Sequence, residues 1–170
     1  MNWKEVCFKL HDSPESVKRV QERLFSLNLN NSIIKLDETA ASAKDAANSL
    51  KTSVGSIVKS IIFLDDRKQS YLFLISGINK FNNKSFHEAN NISLIKPDAS
   101  VVKEITGFSI GGVSPYGHLT NPCKVYIDPD LKKYPSIYAS AGHPFYIFET
   151  TFDELSLNTK AEVANYFEII

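Results

Sequence analysis

The chain has 170 residues, 43% hydrophobic and 22% charged, which suits one folded domain with a substantial core and excludes a disordered or fibrous protein. Its 19 basic and 19 acidic residues cancel to a formal charge of zero; proteins that grip long stretches of nucleic acid carry a basic surplus, so any such contact should be small, a strand end rather than a duplex. Two cysteines, Cys7 and Cys123, form neither a disulfide framework nor a metal-ligand spacing, and no apolar stretch reaches the ~20 residues of a membrane span, so a reducing, cytoplasmic setting is expected with no membrane and no DNA as partner.

The opening residues, Met1-Asn2-Trp3-Lys4-Glu5, lack the apolar run of a secretory signal. A first helix is expected after Asp12-Ser13, with Ser13 accepting an orphan amide and Pro14 at the first helical position. Val17, Val20, Leu24 and Leu27 recur at helical spacing, with Lys18, Arg19, Glu22 and Arg23 on the other side. Residues 28–32 break the pattern, and 33–36 read as a short strand. Ala40, Ala43, Ala46, Ala47 and Leu50 give a second helix a small-residue face. Ser53 opens a third, brief helix through Val54, Ile57 and Val58, ending near Lys59, where the chain passes into a strand over 60–64. A turn over 65–70 returns it as an antiparallel partner over 71–75.

The asparagine-rich stretch 76–91 carries a short helix around 85–90. Asp98 caps a clearer helix bearing Val101, Val102 and Ile105, closed by Gly107. Strands follow over 124–128, 136–140 and 145–149, the last two joined by Ala141-Gly142-His143-Pro144, and Thr151 with Glu154 forms a capping box for a final helix. No linker, charge block or internal repeat interrupts this order. Helices alternate irregularly with adjacent strand pairs, so the expectation is a single α/β domain over 1–170 with a mixed sheet.

Three features could carry chemistry. Lys59 sits between Val58 and Ile61-Ile62, which leaves two readings: a partly desolvated charge with a task, or a stem that packs while the head reaches water. The loop Gly111-Gly112-Val113-Ser114-Pro115 either lets backbone N–H groups approach a ligand closely or is a tight turn. It lacks the Gly-Lys-Ser/Thr ending of a phosphate loop. His143, in the third feature, is either a general base or a polar loop residue.

His11, His87, His118 and His143 show no zinc-ligand spacing, so no metal is expected, and no Gly-x-Ser-x-Gly elbow supports a serine hydrolase. Cys123, in apolar company at a strand start, reads as a buried structural thiol. Lys4, Lys9, Lys18, Arg19 and Arg23 form either a local basic patch or a solvated helix face.

The order of these features carries a resemblance. Val54-Gly55-Ser56-Ile57-Val58-Lys59-Ser60-Ile61-Ile62-Phe63 is similar to the segment of the YbaK / prolyl-tRNA synthetase-associated domain family that holds its functional lysine. Gly111 to Pro115 resembles that family's Gly-x-x-x-Pro loop, and Gly142-His143-Pro144 its Gly-x-Pro motif; the likeness spans nearly the whole chain. It implies a mixed, partly barrel-like sheet flanked by helices, and a cytoplasmic enzyme that hydrolyses the ester of mischarged transfer RNA in trans. The chemistry implied uses the substrate's own ribose hydroxyl, with no metal or other cofactor.

The resemblance implies that Lys59 and Gly111 are catalytic. It implies that Ser60, Gly112, Val113, Ser114, Pro115, Gly142 and His143 contact substrate, while Thr39 beside Ala40, Ser42 and Ala43 helps shape the pocket wall. The partner implied is the acceptor end of aminoacyl-tRNA, chiefly tRNA for proline carrying alanine, serine, threonine or cysteine, with a synthetase as a further partner. Two rivals remain: an adaptor of the same fold that docks on tRNA or a synthetase, and a hydrolase of another small ester or nucleotide derivative.

Overall fold

The computed structural model describes residues 12–29, 32–40 and 42–170. Cys7, His11, Lys4 and Lys9 lie outside them. The described chain runs α1 (Glu15–Ser26), β1 (Ile33–Lys35), α2 (Ala43–Leu50), a 3-10 turn (Val54–Ser56), β2 (Ile57–Leu64), β3 (Ser70–Ser76), β4 (Asn79–Phe81), α3 (Asn83–Asn90) and α4 (Ala99–Thr106). Then come β5 (Lys124–Ile127), a second 3-10 turn (Pro129–Lys133), β6 (Ile137–His143), β7 (Tyr146–Thr150), α5 (Phe152–Thr159), β8 (Glu162–Val163) and β9 (Phe167–Ile169). No helix among them is long and apolar enough to cross a membrane.

Seven strands form one mixed sheet in the order β1-β7-β6-β2-β3-β5-β8, and β4 pairs with β9 apart from it. β2 lies antiparallel to β3 from Val58↔Ser76 to Leu64↔Ser70, but parallel to β6 only at Ile57↔Tyr138 and Val58↔Ala139. The expected mixed α/β architecture with flanking helices is therefore what the chain adopts.

Side chains alternate across a strand, and β2 and β3 split accordingly into two cores. Val58, Ile62, Leu72 and Leu74 face a cluster completed by Val17, Val20 and Leu24 of α1, Val102 of α4 and Leu155 of α5. Tyr71, Phe73 and Ile75 face the other, with Phe86 of α3, Leu94 and Tyr126. β3 is covered on both faces and buried at every residue, which is why it reads as an unbroken apolar run. Burying a side chain such as Phe73 contributes roughly 1.5–3 kcal/mol.

Several local expectations are corrected. Pro14 occupies the N-cap of α1 rather than the first helical position, and the cap has no side-chain hydrogen bond. The helix expected from Ser53 to Lys59 is only one 3-10 turn, with Ser53 accepting from the Gly55 amide. The β-branched Ile57 and Val58 enter the sheet instead, so Lys59 is the third residue of a strand.

Ala141, Gly142 and His143 belong to β6, with a register shift between Ser140 and His143, and the β6–β7 connection is the two-residue turn Pro144-Phe145. Thr151 caps α5 through the Glu154 amide, but the Glu154 carboxylate accepts from Thr150. A full capping box appears instead at Ser42 and Asp45 of α2. Cys123 is exposed, not buried, because it lies just outside the β5 ladder between Pro122 and Lys124.

Candidate active site

Beyond Val58↔Ala139 the paired strands β2 and β6 part, and a cavity of about 490 Å3 opens between them. Leu64 exchanges both backbone hydrogen bonds with Ile95 on the side away from β3, at 2.9 and 2.8 Å. Alternation along the strand turns the amides and carbonyls of Ser60 and Ile62 to that same side. Both residues line the cavity, and between Val58 and Leu64 this edge of β2 has no ladder partner among the described residues. The Ser60 and Ser140 hydroxyls, both on lining residues, are buried and have no hydrogen-bond partner among the described residues. Leaving such a group unsatisfied costs about 1–3 kcal/mol.

Lys59 lines the same cavity, and its ammonium donates to the carbonyls of Gly77, at 3.3 Å, and Asn79. A lysine has three N–H donors, so one is left for a ligand. Asn79 is fixed in turn: its Nδ2 donates to Asp128 at 2.8 Å and to Asp130 at 3.0 Å. Asp128 also accepts the amides of Ser76 at 3.1 Å and Asp130 at 2.9 Å. Burial pulls the Lys59 ammonium below the ordinary lysine range, and the Asp128 carboxylate partly offsets this. Both readings left open for Lys59 therefore have substance: its stem packs in the sheet, yet its head is desolvated and anchored.

The glycine–proline loop reaches the cavity through Gly111 and Val113. Gly111 has φ +83, a left-handed conformation that favours glycine. At Gly112 the loop runs against β6, where a Cβ would lie 2.9 Å from the His143 Cα. At Gly142, with φ +93, a Cβ would lie 2.6 Å from the Ser16 carbonyl of α1. Gly112 thus lets the second and third motifs touch backbone to backbone, and Gly142 lets β6 touch α1. The Gly112 amide is spent on Ser109 O at 2.9 Å, whereas the amides of Gly111, Val113 and Ser114 have no partner among the described residues.

Ser114 and Pro115 are buried behind the cavity rather than lining it. His118 holds them: its Nε2 donates to the Ser114 carbonyl at 2.7 Å, and burial pushes its pKa down to about 4. A carbonyl only accepts, so the proton sits on Nε2. Arg19 fastens the outer ends of the loop, donating to Gly117 O at 2.6 Å and Gly107 O at 3.2 Å. Its guanidinium also lies 4.7 Å from the Phe108 ring centre. Arg19 thus bolts α1 to the loop, while Lys18 pairs with Glu15 at 2.8 Å.

His143 lines the cavity, with its Nδ1 accepting the Phe145 amide at 3.3 Å. Thr39 is exposed and outside the lining, but Ala40, Ser42 and Ala43 beside it do line the cavity. The Ala40 amide donates to Pro144 O at 2.8 Å, which ties this wall to the β6–β7 turn. Of the residues singled out from sequence, Lys59, Ser60, Gly111, Val113 and His143 share the cavity, and Gly112, Ser114, Pro115 and Gly142 build its frame.

Sequence reasoning missed Tyr138, Ser140, Tyr146, Lys44 and Lys96 on the wall. Alternation along β6 could have found Ser140; nothing local marks the lysines. Among the described residues no group of three or more His, Cys, Asp or Glu gathers as metal ligands would.

Residues 37–157 match the family described as the aminoacyl-tRNA editing domain. The uncharacterized protein YwhH of Bacillus subtilis (strain 168) is 29% identical over 141 residues, covering 83% of this chain and 89% of its own. A crystal structure of a candidate trans-editing enzyme for prolyl tRNA synthetase superposes with TM-score 0.85 at 36% identity, covering 91% of this chain and 98% of that one. The crystal structure of hypothetical protein APE2540 gives TM-score 0.81 at 27% identity, over 88% and 99% of the two chains. The chain belongs to the aminoacyl-tRNA editing-domain family.

Proposed function

We propose that this editing-domain protein is a trans-acting deacylase, which hydrolyses the ester joining a small non-cognate amino acid to the terminal ribose of a transfer RNA, tRNA for proline first among them. The observation that carries the reading is Lys59: an anchored, desolvated ammonium with one donor unspent, facing a cavity beside a loop with free amides. Cavities of ~300–1,000 Å3 suit a small-molecule-sized group, and this one would take a nucleoside end with a small acyl group attached.

In the reaction water adds to the ester carbonyl, the carbonyl–ribose oxygen bond breaks, and the amino acid leaves as the ribose hydroxyl is regenerated. Lys59 supplies a fixed positive charge toward the carbonyl oxygen as negative charge develops on it. The amides of Gly111 and Val113, without a partner among the described residues, are the loop donors left to assist; the Gly112 amide, already bonded to Ser109, is not. Donors fixed in advance in a water-poor site are worth far more than in water. The vicinal ribose hydroxyl orients the attacking water, so the chain's residues need supply neither nucleophile nor metal. Ala40, Ala43 and Ala46 with Ile57 and Tyr138 form the wall that admits a small side chain. Such a wall separates side chains differing by one methylene only about 10–200-fold. His143 and the Ser60 and Ser140 hydroxyls, on lining residues, are further groups for the acyl group and ribose. The protein would work in the cytoplasm, where charged tRNA and its synthetases are.

The test is release of amino acid from tRNA for proline charged separately with alanine, serine, threonine, cysteine and proline, with and without EDTA. The reading expects fast release of one or more small non-cognate amino acids, slow release of proline and no effect of EDTA. Tight tRNA binding with no release from any of them would favour the adaptor instead.

A further inference from the structure

Lys59 is not the only cation at the cavity. Lys44, the second residue of α2, and Lys96, which precedes Pro97 and α4, also line it, and both are exposed. Neither takes part in an ion pair among the described residues. Among the described residues no Asp or Glu lines the cavity. A chain with 19 basic and 19 acidic residues has therefore placed three lysines and, among the described residues, no acidic side chain on the lining of one cavity.

Both rim lysines stand on ordered backbone. The Ser42 hydroxyl and the Asp45 carboxylate cap α2 reciprocally, with Ser42 Oγ donating to Asp45 at 2.7 Å, so the nearest carboxylate to Lys44 along the chain is already engaged. Lys96 follows Ile95, whose backbone is bonded on both sides to Leu64. Their attachment points are fixed, while neither ammonium is paired among the described residues.

The aminoacyl group does not explain this charge. An aminoacyl ester is neutral at the carbonyl and tends to be positive at its α-amine, which an ammonium ring repels. The negative charge on such a substrate lies in the phosphodiesters leading to the terminal nucleoside. Resting on the editing reading above, we infer that Lys44 and Lys96 form a phosphate clamp at the mouth, holding the single-stranded 3′ end of the RNA while Lys59 faces the ester within. A two-lysine clamp also fits a chain without net positive charge, because it needs a strand end and not a duplex.

The experiment compares wild type with Lys44→Glu/Lys96→Glu on aminoacyl-tRNA and on the same amino acid esterified to adenosine, which has no phosphate. The clamp predicts a KM for aminoacyl-tRNA raised about tenfold or more with kcat within about twofold. It predicts no change on the adenosine ester, and a salt dependence shallower by about 1.4 in log–log slope for two single-strand phosphates. An unchanged KM for aminoacyl-tRNA, or an equal loss on both substrates, overturns it. Lys44→Gln/Lys96→Gln serves if the charge reversal misfolds, with the same pattern at smaller amplitude. Binding of an uncharged, fluorescently labelled oligoribonucleotide ending in CCA decides the clamp even if no ester is cleaved: Kd should rise about tenfold or more in the double variant, and an equal Kd contradicts it.

Discussion

Strand β2 enters two regions that are finished in opposite ways. Around Phe63 it joins an aromatic cluster: Phe73 lies 4.1 Å from Phe81, 5.2 Å from Tyr126 and 5.6 Å from Phe86 between ring centres. Three and four residues earlier, at Ser60 and Lys59, the same strand borders a cavity with two buried hydroxyls that have no partner among the described residues and an ammonium drawn in by neighbouring carbonyls. The first region satisfies itself with apolar contact. The second keeps polar groups, each costly to desolvate, on the lining of one cavity. A chain selected for stability alone would fill that space; under the proposed function, stability is exchanged there for ligand contact.

Substitutions that act on only one region sharpen the contrast. Phe73→Ala, at the centre of the rings, should lower folding stability by about 3–5 kcal/mol, read as a shift in the urea midpoint. A much smaller loss would mean the cluster is looser than its ring distances indicate.

A second, pH-dependent effect belongs to the cavity side. The pKa of His118, about 4 in the folded state, lies below the ordinary value of 6.5. As pH falls, the unfolded chain takes the proton first, so this contribution is complete above about 6.5 and is lost progressively toward 4. The shift corresponds to roughly 3 kcal/mol. His118→Gln retains a donor for the Ser114 carbonyl but cannot titrate, so its urea midpoint should fall less than the wild type's between pH 7 and 4.5. An equal fall in both would remove His118 from the account.

The smallest effect on stability is expected at Ser140. Ser140→Ala deletes a buried hydroxyl without a partner among the described residues, so stability should stay within about 1 kcal/mol or rise, while deacylation slows severalfold. A clear loss of stability with unchanged turnover would show the hydroxyl to be structural.

Much of the fold was legible in the sequence because its signals are local and periodic. The helical spacing of Val17, Val20 and Leu24, the apolar pair of strands across 60–75 and the glycine closing α4 all read correctly. What failed was decided at longer range. The stretch from Ser53 to Lys59 carries a helical start signal, but Ile57 and Val58 find sheet partners in Tyr138 and Ala139. β8 and β9 are two and three residues long and exist through pairing with β5 and β4. Within the site, the motif residues could be picked out in order. The Asn79–Asp128 support of Lys59 joins residues 49 apart, and Lys44 and Lys96 meet at one rim only once α2 and the segment before α4 are folded.

The central claim is that the Lys59 ammonium acts on the ester and is not merely a packed stem. The direct measurement is single-turnover release of a small non-cognate amino acid from tRNA for proline by wild type, Lys59→Ala and Lys59→Met, beside the thermal midpoint of each. The account predicts a rate loss of about 10²–10³ in both variants, with Lys59→Met keeping the wild-type fold because it retains most of the stem. It also predicts that the wild-type rate falls, as pH rises, at a lower pH than an ordinary lysine would give, since burial depresses the pKa of Lys59. A folded Lys59→Met that releases the amino acid at the wild-type rate would contradict it.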